Sequence, residues 1–277
     1  MKSRIPFISL CLLILGITAC RRTLESPPNS EKGASIMYIA NEGVLLQTAE
    51  SGILIDAIHQ PYRKQYASTP DSIFELMLAK QGPFEQTKLV LLSHVHRDHH
   101  SSSQLIKLLT QRPSLQLIAP QQAVDSVLAF REAERLSPQL QGLVNQTPEI
   151  IWHQAGLSIT SIPIPHTYPQ LNSWVQHYAY LIKSDQHSYL HLGDSYAVKK
   201  HLEQLEMSLP DTIDVAMVPF WFLYDSAWRW LKEVKHIKHI VAIHVPIPDA
   251  KKLEEEMEAL DPRIRVLHHL GETKYID

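Results

Sequence analysis

Residues 94–100 read His-Val-His-Arg-Asp-His-His, four histidines and an aspartate within seven positions. Imidazole nitrogen and carboxylate oxygen are the donors that zinc, iron and manganese accept. The cluster follows the apolar run "TKLVLLS", which has the composition of a buried strand. His94 and His96 stand at i and i+2, and in extended chain alternate side chains share a face, so both rings can reach one ion. Asp98 and His99 fall where the chain must turn into a helix beginning near Ser101, and they can serve a second point in space. Four donors do not complete two coordination spheres. Further donors stand at the ends of other apolar runs: His166 closes "SIPIPH", Asp194 closes "YLHLGD", and His244 closes "IVAIH".

The elements that must position these residues can be read from hydrophobic spacing. "SIMYIANEGVLLQTAESGILIDAI" is three short β-rich runs separated by turn residues. "DSIFELMLAKQG" has helical spacing, with Asp71 as a candidate cap and Gly82 as a stop. "SSSQLIKLLTQR" predicts an amphipathic helix capped by serine and ended at Pro113. Strand "LQLIAP" and a helix over Ala123–Phe130 follow. The second half repeats the order: strand "LSITSIPI", hairpin "HYAYLIKSDQHSYLHLGDS", helix "KKHLEQLEM", strand "DTIDVAMVPF", helix "DSAWRWLKEV", strand "HIVAIHVP", helix "DAKKLEEEMEAL", and closing strands in "RIRVLHHLG" and "TKYID". Such alternation predicts a layered α/β domain with buried sheets.

H-x-H-x-D-H after a buried strand, followed in order by a strand-end His, a strand-end Asp after Gly and a strand-end His, resembles the metallo-β-lactamase-fold hydrolases. Within them, "IDVAMVP", "AIHVP" and a late "LGE" are most similar to the lactonase-like and phospholipase D-like branch. The resemblance covers most of residues 36–277 and implies a four-layer αββα sandwich. It implies two divalent ions, zinc first with manganese or iron as alternatives. His94, His96 and His166 would hold the first, Asp98, His99 and His244 the second, and Asp194 would bridge. Asp56, ending "GILID", matches an aspartate that steadies a metal-ligating histidine from behind. One departure is the run His100-Ser101-Ser102-Ser103, where the family often has glycine.

Two divalent ions can bring the pKa of a bound water near 7 and stabilise a developing oxyanion. The expected reaction is therefore hydrolysis of a small ester, lactone, phosphodiester or amide, with Asp98, His96 and Asp194 at the chemistry and Asp98 also orienting the nucleophile. No leaving-group donor is named by the sequence. Rival expectations are a β-lactamase proper, against which Asp194 speaks, and a non-catalytic protein that retains the site to bind metal or a ligand. Of the 16 histidines, those outside the ordered set, such as His59, His100, His177 and His191, are read as structural. In "PFWFLYDSAWRW", Trp221 and Tyr224 are expected beside the pocket, and Trp228 and Trp230 in packing. There is no G-x-S-x-G elbow and no glycine-rich phosphate loop.

The first 20 residues carry Lys2 and Arg4, an apolar stretch from Ile5 to Ile17, and small residues before Cys20. This is a secretory leader, too short for a comfortable membrane span. "ITAC" resembles a bacterial lipobox, which implies removal of residues 1–19, lipid on Cys20, and a place in the cell envelope facing the periplasm or the exterior. The bland alternative is an ordinary leader with an incidental cysteine. Residues 20–35 then form a polar tether. With Cys11 lost and Cys20 acylated, the body carries no thiol, hence neither disulfide nor thiolate ligand. The balance of 26 basic and 29 acidic residues offers no basic stripe for nucleic acid. The expected partners are a small-molecule substrate and, through the lipid, a membrane.

Overall fold

The computed structural model describes residues 34–49, 51–154, 157–196 and 199–276. The leader, Cys20 and most of the tether lie outside them. Among the described residues no helix is long and apolar enough to cross a membrane.

The first half builds β1 (Ser35–Ala40), β2 (Gly43–Gln47), β3 (Gly52–Ile55), α1 (Asp71–Ala79), β4 (Thr87–Leu91), α2 (Ser102–Gln111), β5 (Gln116–Pro120), α3 (Gln121–Leu128) and β6 (Leu140–Leu143). The second half builds β7 (Glu149–Gln154), β8 (Leu157–Pro163), α4 (Pro169–Asn172), β9 (Tyr178–Lys183), β10 (Ser188–His191), α5 (Lys199–Ser208), β11 (Thr212–Pro219), α6 (Ser226–Val234), β12 (His236–Ile243), α7 (Ala250–Leu260), β13 (Ile264–Val266) and β14 (Thr273–Tyr275). The strands form two seven-stranded sheets, ordered β14-β1-β2-β3-β4-β5-β6 and β13-β12-β11-β10-β9-β8-β7.

Three apolar layers hold the sandwich. Between the sheets lie Val44, Leu46, Ile53, Leu91, Tyr180, Tyr189, Met217 and Val241. The alternate residues of the first sheet, Leu45, Leu54 and Val90, pack against Phe74, Met77, Leu105 and Leu108 of α1 and α2. Those of the second sheet, Ala216, Val218 and Ile240, pack against Trp228, Leu231, Leu253 and Met257 of α6 and α7. Burial on both faces explains why runs such as "VLL" and "IVAI" are continuously apolar rather than alternating. The result is the αββα order expected from the sequence.

Several local expectations are revised. Pro70, not Asp71, stands at the cap position of α1, and Lys80 supplies the left-handed closing residue at φ 54 where Gly82 was expected to end the helix. Ser101 does cap α2, accepting from Gln104 N–H at 3.5 Å. The run "RIRVLHHLG" contributes only three strand residues, and the last strand, β14, joins the opposite sheet beside β1.

One polar device pins the outer edge of the second sheet. The Asp261 carboxylate accepts from Arg263 Nε at 2.9 Å and Nη2 at 2.7 Å and from Lys232 Nζ at 2.9 Å, linking the ends of α6, α7 and β13. Arg263, then Lys232, hold Asp261 well below the usual carboxylate range. A depressed carboxylate stabilises the fold above its unfolded pKa and loses that contribution as pH falls toward its folded pKa. Asp261→Asn is therefore expected to cost about 1–2 kcal/mol at pH 7, discounted because the Arg263 side chain is 40% exposed, with the gap to wild type closing below about pH 3. Urea denaturation at several pH values measures it.

Candidate metal centre

The chemistry-bearing residues gather at one edge of the sandwich. β3, β4 and β5 run parallel, as do β10, β11 and β12, so their carboxyl ends open to the same side. Asp56 follows β3, Ser93 and His94 follow β4, His166 follows β8, Asp194 follows β10, and His244 follows β12. Main-chain bonds stitch the two sheets there, Tyr178 N–H donating to Ser93 O at 3.0 Å and His244 N–H to Asn41 O at 3.3 Å, while Thr167 N–H donates to Asp194 O at 2.7 Å along the edge of the second sheet. Asp56 and His244 have φ of 48 and 60, left-handed conformations that cost a non-glycine residue about 1 kcal/mol each. The surrounding structure holds both turned into the centre.

The first donor group is His94, His96 and His166. His166 Nε2 lies 3.2 Å from His94 Nε2 and 3.1 Å from His96 Nδ1. Asp194 Oδ2 is 3.4 Å from His166 Nε2. Donors held about 2.0–2.1 Å from one tetrahedral ion stand roughly 3.3–3.4 Å apart, so these spacings fit a divalent cation. The remote nitrogens fix the tautomers. His166 Nδ1 donates to Thr167 O at 2.7 Å. His94 Nδ1 donates to Ser93 Oγ at 3.0 Å, and Ser93 Oγ donates to Asp56 Oδ2 at 2.5 Å. Both Nε2 atoms are thereby left bare for ligation. Burial, then neighbouring imidazoles, push His96 down to about 4 and hold His94 well below the usual histidine range. Neutral rings are the metal-binding form.

The second group gathers His99, Asp194 and His244 with Glu42, their donor atoms within 4.8 Å of one another, and Asp98 stands beside it. His99 Nε2 is 3.5 Å and His244 Nε2 3.6 Å from Asp194 Oδ1, and His244 Nε2 is 3.7 Å from Asp98 Oδ2. His99 Nε2 and Asp194 Oδ1 are buried with no hydrogen-bond partner. Such orphaned atoms are costly unless a cation takes them up. Asp194 thus turns one oxygen to each group. Burial opposes its charge, yet His244 and His99 hold it well below the usual carboxylate range. His99 is raised: burial works against its protonation, but Glu42, Asp194 and Asp56 outweigh it.

All seven donors read from the sequence are brought together, and Asp56 reaches both groups: through Ser93 to His94, and directly to His99 Nδ1 at 3.2 Å. Trp221 stands at the rim, its ring centre 4.8 Å from that of His244. Tyr224 is a correction. It is 46% exposed, and its hydroxyl lies 3.4 Å from Glu256 of α7, which draws it from the expected pocket wall. Trp228 is fully buried. His100 bonds the His96 carbonyl at 3.2 Å and Ser126 Oγ at 3.1 Å, tying the ligand loop to α3. Serine therefore replaces the family's glycine without loosening the loop.

Four contributors escaped the sequence reading. Tyr66 stacks edge-on to His244 with ring centres 4.6 Å apart, and Trp174 approaches His96 at 5.8 Å. Ser93 relays Asp56 to His94. Glu42, in the β1–β2 turn, is fully buried with Oε2 2.8 Å from His99 Nδ1. Burial and Asp194 push its carboxyl up to about 8. An Asn-Glu-Gly turn ordinarily reads as solvent-facing, so no sequence signal marked it. Gly43 permits the inward placement, since a Cβ there would come within 2.7 Å of Ala57 Cα. A cleft of about 540 Å³ adjoins the first group, bounded by His166, Asn172, Trp174, Gln176, His201 and Gln204 among others.

A two-sheet sandwich with paired His/Asp donor groups sharing one carboxylate at its edge defines the metallo-β-lactamase type of architecture. Residues 52–270 match the family model described as Beta-lactamase superfamily domain, and the chain belongs to that superfamily. No curated protein matches by sequence. Solved structures share the fold. Igni18, a metallo hydrolase from the archaeon Ignicoccus hospitalis, is 19% identical at TM-score 0.59, with 88% of this chain and 98% of that chain covered. An isothiocyanate hydrolase from Delia radicum gut bacteria is 17% identical at TM-score 0.61, with 87% and 98% covered. CmlA, a diiron β-hydroxylase from Streptomyces venezuelae, is 12% identical at TM-score 0.55, with 89% of this chain and 55% of that chain covered. The fold is thus shared by hydrolytic and oxidative proteins alike.

Proposed function

We propose that the protein is a binuclear metal-dependent hydrolase, with zinc as the working ion, acting on a small ester, lactone, phosphodiester or amide. The observation that carries this reading is the division of seven donors into two groups joined by Asp194. His94, His96 and His166 would hold one ion, Asp98, His99 and His244 the other. When bound, the pair supplies an acidified water and a Lewis acid for the carbonyl oxygen. The protein's own part is orientation. Asp98 is the more open of the two carboxylate ligands, with its side chain 16% exposed against 8% for Asp194, so its outer oxygen can take and hold the proton of the attacking water. Tyr66, Trp174 and Trp221 form an aromatic rim that seats the substrate and limits water.

The test is a panel of esters, lactones, amides, phosphodiesters and nitrocefin, run before and after treatment with dipicolinate. Hydrolysis of an ester, lactone, amide or phosphodiester, abolished by the chelator and restored by two equivalents of zinc, is the expected outcome. Restoration solely by iron, with oxygen consumed, would move the protein toward the oxidative members of the fold. Nitrocefin turnover would favour the β-lactamase reading, and full metal binding with no turnover of any substrate the binding-protein reading. The leader adds a location: the domain works at a membrane of the cell envelope, tethered by lipid on Cys20. Cys20→Ala is expected to shift it from the membrane fraction to the soluble fraction.

A further inference from the structure

The mechanism leaves one buried acid without a task. Both Glu42 carboxylate oxygens are buried and lack a hydrogen-bond donor. Oε2 is 2.8 Å from His99 Nδ1, but that N–H is already directed at Asp56 Oδ2, 3.2 Å away. Asp56 has two further donors, Ser93 N–H at 2.8 Å and Ser93 Oγ at 2.5 Å. Glu42 has none, although its turn is firmly placed: Asn41 O accepts from His244 N–H, the His191 ring bonds the Glu42 main chain, and Gly43 abuts Ala57. A buried carboxyl needs a polar partner close by, and the side chain at contact distance is the His99 ring. The described structure places no lysine or arginine against it. What lies beyond His99 is the second donor group, since Glu42 meets Nδ1 on one side of the ring and Asp194 meets Nε2 on the other.

We infer that Glu42 is a positioning residue for the second metal: its buried carboxyl, 2.8 Å from His99 Nδ1, orients that ring in the second donor group, and it sets the occupancy of that site and not of the first. This rests on the two-cation reading above. The difference from Asp56 is functional, because Asp56 bears on ligands of both groups, whereas Glu42 contacts His99 and stands within 4.8 Å of donor atoms of Asp194 and His244 in the second group.

The experiment is zinc titration of metal-free wild type and Glu42→Gln by competition with a chromophoric chelator, with Tm recorded before and after loading. The second equivalent is expected to bind about 10–100-fold more weakly in the variant, the first unchanged. The zinc-induced rise in Tm should shrink accordingly. Glu42→Asp, which keeps the charge, should recover part of the loss and also serves if the glutamine variant folds poorly. Two equivalents bound as tightly in Glu42→Gln as in wild type overturn the inference. So does a variant with lowered metal-free Tm but an undiminished zinc-induced rise, which would mark a purely structural role. Wild type that binds no zinc would instead overturn the two-cation reading itself.

Discussion

Asp194→Ala is expected to empty both metal sites and lower turnover by roughly 10³-fold or more, about 4 kcal/mol of transition-state stabilisation. The reasoning is geometric. Asp194 Oδ2 stands 3.4 Å from His166 Nε2, while Oδ1 stands 3.5 Å from His99 Nε2 and 3.6 Å from His244 Nε2. Among the described residues Asp194 is the carboxylate that faces ligands of both groups from within the cavity; Asp56 does so from behind. Removing it deletes one donor from each sphere and takes away the anion that separates two like charges. Asp194→Asn should fare little better, because it keeps the shape but loses the charge. Elemental analysis against protein concentration is the direct check. Retention of two metals per chain in Asp194→Ala would mean that the carboxylate is not a bridge.

The neighbouring residue gives the second large effect, by a different route. Gly193 has φ +53, and a Cβ built there would lie 2.5 Å from His177 Nε2 and 2.7 Å from Ser93 Cβ. Gly193→Ala therefore combines a backbone penalty of about 1 kcal/mol with a clash against two buried side chains, roughly 2–4 kcal/mol in all. For a domain of this size that lowers Tm by roughly 4–15 °C. The damage also reaches the centre. Ser93 carries the link from Asp56 to His94, and His177 packs against the rings of His94 and His166 at 5.3 and 5.6 Å. Metal affinity should thus fall together with stability, whereas an ordinary core substitution far from this edge should reduce stability alone. Differential scanning fluorimetry paired with zinc titration separates the two.

Much of this protein is legible in its sequence because its signals are local. The run Leu89 to Leu92 is apolar on both faces, as a doubly covered strand must be, and a dense donor motif follows it directly. His166, Asp194 and His244 each end an apolar run, so their place at strand tips follows from backbone direction alone. The alternating order of strands and helices limits the architecture to a layered α/β form.

What the sequence could not settle are relations between segments distant along the chain. Tyr224 and Trp221 occupy one short stretch, and nothing local distinguishes the residue beside His244 from the one drawn to Glu256. The last strand crosses to the first sheet because β1 offers it an open edge, a choice made by pairing and not by composition. Glu42 is the clearest case. In a hairpin turn an Asn-Glu-Gly triplet is ordinarily solvated, and local rules place its carboxylate in water. Only the packing of the β1–β2 turn against Asp56, with glycine allowing close approach, carries that charge inward to His99. The donors and their order were therefore fixed by residue type and spacing. Their division into two groups, with Asp56 behind them, is what the family resemblance implied, but that Glu42 stands with them was decided by the meeting of the two sheets, because contact depends on distance in space and not along the chain.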